Sequence, residues 1–149
     1  MKLPDTIRKQ FADYGRQGGK ARAAKLGPEA RQATARRAAA SRWIRDRFGA
    51  TSFASLGLPG GETVDTGLKH LAEGTVSVES LLLSLAAPRL RREEIPVGRV
   101  LPEPENRLYE LLSVEAGDLA HARYAAHLEQ IASFADACHL ARRPRSPDA

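Results

Sequence analysis

"YGRQGGKARAAKLGPEARQATARRAAASRW", Tyr14 to Trp43, carries eight lysines and arginines against one carboxylate, Glu29. Between its aromatic ends the only large apolar residue is Leu26. Such a segment has almost nothing to bury. Alanine, arginine, lysine and glutamine are all good helix formers, so the stretch reads as a charged helical arm. Its cations are Arg16, Lys20, Arg22, Lys25, Arg31, Arg36, Arg37 and Arg42. Nucleic acid rewards this density because each neutralised phosphate releases condensed counterions. A merely solvated helix face would intersperse acids for i,i+4 pairing, and here acids are scarce. The pattern therefore points to nucleic acid, with double-stranded DNA among its forms, and an acidic protein partner or a passive tail are the alternatives. Arg22 and Arg36 are candidates to read a guanine edge. Trp43 is a candidate to stack on a base, although its neighbours Ile44 and Phe48 favour a core role.

Within this stretch the firmest helix starts at Pro28, since proline suits the first helical position and Glu29 suits the positive helix end. Gly27 is its cap, and Gly49 ends it after Phe48. At about 100° per residue, Ala30, Ala33, Ala40, Ile44 and Phe48 form one stripe, interrupted only by Arg37. Arg31, Arg42 and Arg45 fall opposite, and Arg36, Trp43 and Arg47 form a third strip. This seam is methyl-sized until its C-terminal end, so that end is expected to dock while the N-terminal part projects. The alanine seam also leaves room for close helix pairing in a homodimer. Upstream, Leu3, Ile7, Phe11 and Tyr14 follow helical spacing. Gly15, Gly18 and Gly19 then predict a hinge or a loosely held helix, each costing about 1 kcal/mol relative to alanine.

Downstream, residues 49–62 ("GATSFASLGLPGGE") read as a linker punctuated by glycine and proline, with Leu56 and Leu58 available to tack it down. Residues 63–141 read as a helical bundle. Val64, Leu68 and Leu71 make a helix stopped by Gly74, and Ser77 caps another carrying Val78, Leu81, Leu82 and Leu85. Pro88 is expected to open a basic turn, "PRLRREE", followed by an extended "IPVGRVLPEP". Pro104 starts a helix with Leu108, Leu111 and Leu112 inward. Asp118 starts the longest helix, on which Tyr124, Leu128, Ile131, Ala135 and Cys138 face the core. The tail, 142–149, is polar and proline-broken and reads as disordered. No run alternates at period two. The expected class is all-α, a basic N-terminal arm (1–48) joined to a small helical bundle.

Composition adds an asymmetry. Residues 1–50 hold 13 Lys/Arg against 4 Asp/Glu, while residues 51–149 hold 10 against 14. The net charge of +5 thus joins a basic third to a mildly acidic remainder. Charge segregated in this way favours a polyanionic partner. The single cysteine excludes an intrachain disulfide and a four-thiolate zinc site, which suits a reducing cytoplasm. The N-terminus does not resemble a signal peptide. The longest apolar run, "LLLSLAA" (81–87), is far shorter than the roughly 20 residues of a membrane span, so no membrane partner is expected.

The histidines His70, His121, His127 and His139 show no metal-binding spacing, so neither metal nor cofactor is expected. No phosphate loop, nucleophile elbow or Ser-His-Asp order is present, and the chain is not expected to be an enzyme. In the helical half, Arg89, Arg91, Arg107, Tyr109, His121, Arg123 and Tyr124 interleave with leucines. Arginine and tyrosine stems commonly cover core edges, but both residues are also enriched where partners grip. Arg89, Arg91, Tyr109, Arg123 and Tyr124 are therefore the candidate partner-binding set.

Two passages carry a family resemblance. "GGKARAAKLGPEARQATARRAAASRW" (18–43) resembles a short basic motif at the N-termini of small bacterial proteins. The cap, commonly serine or threonine in such sequences, is Gly27 here. "LLLSLAAPRLRREEIPV" (81–97), with "PENRLYELL" (104–112) and "AHARYAAHLEQIASFADAC" (120–138), resembles small proteins encoded beside nucleotidyltransferase-like toxins of the abortive-infection type. Together the passages span about half of the chain. The resemblance implies an antitoxin that binds and neutralises such a toxin, with the arm contacting operator DNA and repressing the shared promoter. The toxin of such pairs carries a glycine-serine and paired-aspartate signature that this chain lacks, so this chain would be the partner. In an inverted arrangement, ranked second, the arm would pair with the toxin's catalytic carboxylates. The runner-up function is a stand-alone nucleic-acid-binding accessory protein.

Overall fold

The structure, a computed structural model, describes residues 4–142. Helix α1 spans Asp5–Lys25, α2 Pro28–Phe48, α3 Gly61–Glu73, α4 Val78–Arg92, α5 Pro104–Ala116 and α6 Ala120–Ala141. Short 3-10 turns lie at Ala54–Leu56 and Gly117–Leu119. The protein is all-α, with α2 to α6 packed as a bundle and no strand among the described residues. Helix α4 packs against α3, α5 and α6, while α2 lies on α3. No helix among the described residues is long and apolar enough to cross a membrane. Leu3 and residues 143–149 of the expected disordered tail lie outside the described residues.

Local chemistry explains most helix ends. Gly27 precedes α2 with an extended backbone, Pro28 sits at its first position, and Gly49 closes it in the left-handed region at φ 74°. Gly74 ends α3 in the same way. Ser77 and Ser80 form a reciprocal capping box at the start of α4. Of the hinge and the loosely held helix expected at Gly15, Gly18 and Gly19, the structure shows the helix, since α1 runs unbroken through all three. The break falls instead at Leu26 and Gly27, where Pro28 excludes the helical conformation from the residue before it. Helix α1 buries no residue, and Ile7, Phe11 and Tyr14 are all exposed.

Pro88 departs from expectation, since α4 continues through it to Arg92. Proline deletes one N–H and crowds the preceding turn. Here Leu83, Ala87 and Leu90 follow one helical face and are buried to within 1% of completely. Their burial holds the helix on course through the proline. Asp118 falls in the 3-10 turn rather than at the head of α6, which begins at Ala120.

The stretch 49–62 is more than a tether. Phe53, absent from the sequence-based core, is fully buried at 0% exposure. Its ring packs on Phe48 at 5.5 Å and edge-on to Phe134 at 5.0 Å, joining the foot of α2 to α6. The Asp65 carboxylate accepts from the Phe53 N–H at 3.0 Å and the Ala54 N–H at 2.9 Å, which fixes the turn. After α4, Ile95 and Val97 are buried, and the Ser84 hydroxyl accepts from the Leu101 N–H at 3.0 Å. The segment 95–101 is therefore pinned to the bundle as well.

Gly67 sets how closely α3 approaches α4. A β-carbon there would lie 2.7 Å from Leu83 Cδ1 and 2.8 Å from the Glu79 carbonyl oxygen. A leucine can rotate away, but a backbone carbonyl cannot. Gly67→Ala is expected to lower stability by about 1–2 kcal/mol, because overpacking outweighs the roughly 1 kcal/mol gained in helix propensity. Chemical denaturation checks this, and a neutral or stabilising result would mean that the helices are not in contact at Gly67.

Candidate nucleic-acid and partner interfaces

The two candidate residue sets occupy different elements. All eight arm cations project from α1 and α2, and all are exposed. Arg16 pairs with Asp13 at 2.8 Å within α1, an i,i+3 surface contact. Arg37 reaches across to Glu73 of α3 at 3.2 Å, and Arg42 Nε donates weakly to the Ala38 carbonyl at 3.4 Å. Exposed pairs of this kind are worth at most about 1 kcal/mol, so phosphate can displace the carboxylate. Lys20, Arg22, Lys25, Arg31 and Arg36 have no ion pair or side-chain hydrogen bond among the described residues.

The arm is held most firmly at its foot. Ile44 and Phe48 enter the core, and Arg47 pairs with Glu94. Trp43 packs against Phe48 at 5.6 Å and Phe53 at 6.4 Å, so it belongs to the core edge while keeping part of its surface open. Burial does not fall steadily along the rest of the seam: Ala40 is half-buried and Ala30 exposed, yet Ala33 between them is buried, so the expected projection of the N-terminal part is incomplete. The arm's charges thus concentrate where the chain has little of its own to neutralise them.

The candidate partner set divides. Arg89 of α4 bonds Asp136 of α6 at 2.7 Å, and Arg91 donates to the Gly98 carbonyl at 3.0 Å. These two arginines brace the bundle. Tyr109 of α5 and Tyr124 of α6 meet edge-to-face, with ring centroids 5.9 Å apart. Tyr109 is 42% exposed, so this aromatic pair opens to solvent. Burial, and then the Glu105 carboxylate, push the Tyr124 hydroxyl above the usual tyrosine range. Arg123, beside Tyr124 in sequence, is exposed. Acids share these elements, with Glu105, Glu110 and Glu115 on α5 and Asp118 in the turn before α6. Val114, at 87% exposure, lines a cleft of about 300 Å³ with Val76, Leu111 and Arg107.

No group of three or more His, Cys, Asp or Glu among the described residues is placed to hold a metal ion. His70 Nδ1 is hydrogen-bonded to the Ser77 hydroxyl at 2.7 Å, and His139 lies 3.2 Å from Glu93. The Cys138 thiol is pushed up to about 12 by burial and by Glu93, against a smaller lowering by Arg142. It is a protonated core residue and not a nucleophile. Sequence reasoning missed a cleft between α2, α3 and residues 96–99, because those walls are distant in the chain. The chain matches no protein-family model, no curated protein and no solved structure.

Proposed function

We propose that this protein is an antitoxin, whose arm binds DNA and whose acidic helical half holds a nucleotidyltransferase-like toxin. The observation that carries the DNA half is the set of five arm cations, Lys20, Arg22, Lys25, Arg31 and Arg36, with no acid of this chain against them among the described residues. The toxin half draws on the resemblance of residues 81–138 and on the exposed Tyr109–Tyr124 pair. A toxin that binds nucleotides has a basic substrate surface. The acids around the tyrosine pair complement it, which favours encounter and orientation. Tyrosine and arginine then supply the contacts that commonly dominate binding energy.

The experiment co-expresses the chain with the nucleotidyltransferase encoded beside it and scores growth, while a separate assay measures DNA retention across salt. Engagement of the five unpaired cations gives a slope of log affinity against log salt of about −4.5, at roughly −0.9 per phosphate. Combining Tyr109→Ala with Arg123→Glu is expected to weaken toxin binding at least about tenfold and to leave DNA retention unchanged. Retention without any rescue of growth would reduce the protein to a stand-alone nucleic-acid-binding accessory. Rescue that is indifferent to DNA would remove the arm's role.

A further inference from the structure

The cleft at the foot of the arm has a volume of about 560 Å³. That lies inside the roughly 300–1,000 Å³ range of small-ligand sites. Ala40 and Trp43 of α2 form one wall, and Leu68 and Ala72 of α3 form the other. Residues 96–99 close the end. Each wall is held in place before anything binds. Ile44 and Phe48 seat α2 in the core, and close approach at Gly67 seats α3 on α4. Buried Val97 and the bond from Arg91 to the Gly98 carbonyl hold the third wall.

The charged groups at the cleft are almost all of one sign, beside the hydroxyls of Ser41, Thr51 and Ser52. Arg36, Lys69 and Arg99 line it and have no ion pair among the described residues. Arg37 also lines it but is engaged by Glu73. The single carboxylate, Asp65, spends both oxygens on the Phe53 and Ala54 N–H groups. An apolar slot beside an indole, with three uncompensated cations, is complementary to a molecule with an aromatic body and an anionic head. We infer that this cleft binds a small aromatic anion, its ring between Trp43 and the alanine-leucine walls and its carboxylate, sulfonate or phosphate at Lys69, Arg99 and Arg36. The site shares Arg36 with the arm's proposed contact with DNA, whereas Lys69 and Arg99 lie outside the arm and belong to the cleft alone.

Trp43 is the only tryptophan in the chain, so the site reports on itself. The probe is anilinonaphthalene sulfonate, with the uncharged phenylnaphthylamine, the same ring body without the sulfonate, as comparison. The expected result is one saturable site per chain, seen as energy transfer from Trp43, with the uncharged probe at least about tenfold weaker. Lys69→Gln with Arg99→Gln is expected to weaken the sulfonate at least about tenfold, as loss of charge-assisted bonds requires, and to leave the uncharged probe unchanged. Ala72→Phe fills the slot and is expected to exclude both probes. Should that variant misfold by circular dichroism, the pair at exposed Lys69 and Arg99 carries the test alone. Equal binding of the two probes, sulfonate binding unaltered by the paired glutamines, or absence of energy transfer from Trp43 would overturn the inference.

Discussion

Arg31→Glu, Arg36→Glu and Arg42→Glu together are expected to abolish DNA retention while leaving the thermal melt of the bundle in place. None of the three arginines forms an ion pair with the bundle, and the strongest side-chain contact among them is the 3.4 Å bond from Arg42 to Ala38 in its own helix. Glutamate and arginine have similar helix propensity, so α2 itself should persist. Loss of three phosphate contacts costs about 100-fold in affinity at roughly 0.15 M salt, and reversed charge adds repulsion to that. Arg37 and Arg47 are left alone because they pair with Glu73 and Glu94, and changing them would confound charge with docking. Electrophoretic retention across a salt series reads the effect directly. If the triple variant holds DNA as tightly as the parent, the arm is not the binding surface.

The second large effect is on stability. Phe53→Ala removes a fully buried ring that stands among Phe48, Phe134 and Trp43. Truncating such a residue costs about 3–5 kcal/mol, the lost transfer energy plus the cavity left behind. For a chain of this size the melting temperature should fall by roughly 10–15 °C. Phe53→Leu should recover much of the loss by restoring volume without the edge-to-face contacts. Because Phe53 joins the foot of α2 to α6, the variant should also release Trp43, visible as a red shift in its emission before global unfolding. A loss below about 1 kcal/mol, typical of surface positions, would place residues 51–57 outside the core.

These two residue sets differ in how openly the sequence displays them. The bounds of α2 were legible because Pro28 and Gly49 act within one turn of themselves, and Ser77 and Gly74 work the same way for α4 and α3. The arm's cations were legible because a lack of compensating acids is a property of composition. Phe53 was not, since it stands alone between Ser52 and Ala54 with no periodic neighbour to mark it as inward. Its environment is assembled from α2, α3 and α6. Pro88 misled for a related reason: its local preference is to stop a helix, and only the tertiary burial of Leu90 overrides it. Arg89 and Arg123 look alike in sequence, yet only the folded chain brings Asp136 to the first of them. The aromatic-anion cleft has no linear signature, because its three cations come from α2, α3 and the segment after α4.

Helix α1 has a thermodynamic consequence of its own. In proteins most helical stability comes from a packed face, and α1 has no buried residue to supply one. Its three interior glycines subtract about 3 kcal/mol relative to alanine. Under the proposed contact with DNA, binding would offset part of the ordering entropy of these 21 residues. Association measured by calorimetry should then carry an added exothermic term from firming up this unpacked helix, and should weaken on warming more steeply than phosphate contacts alone would dictate.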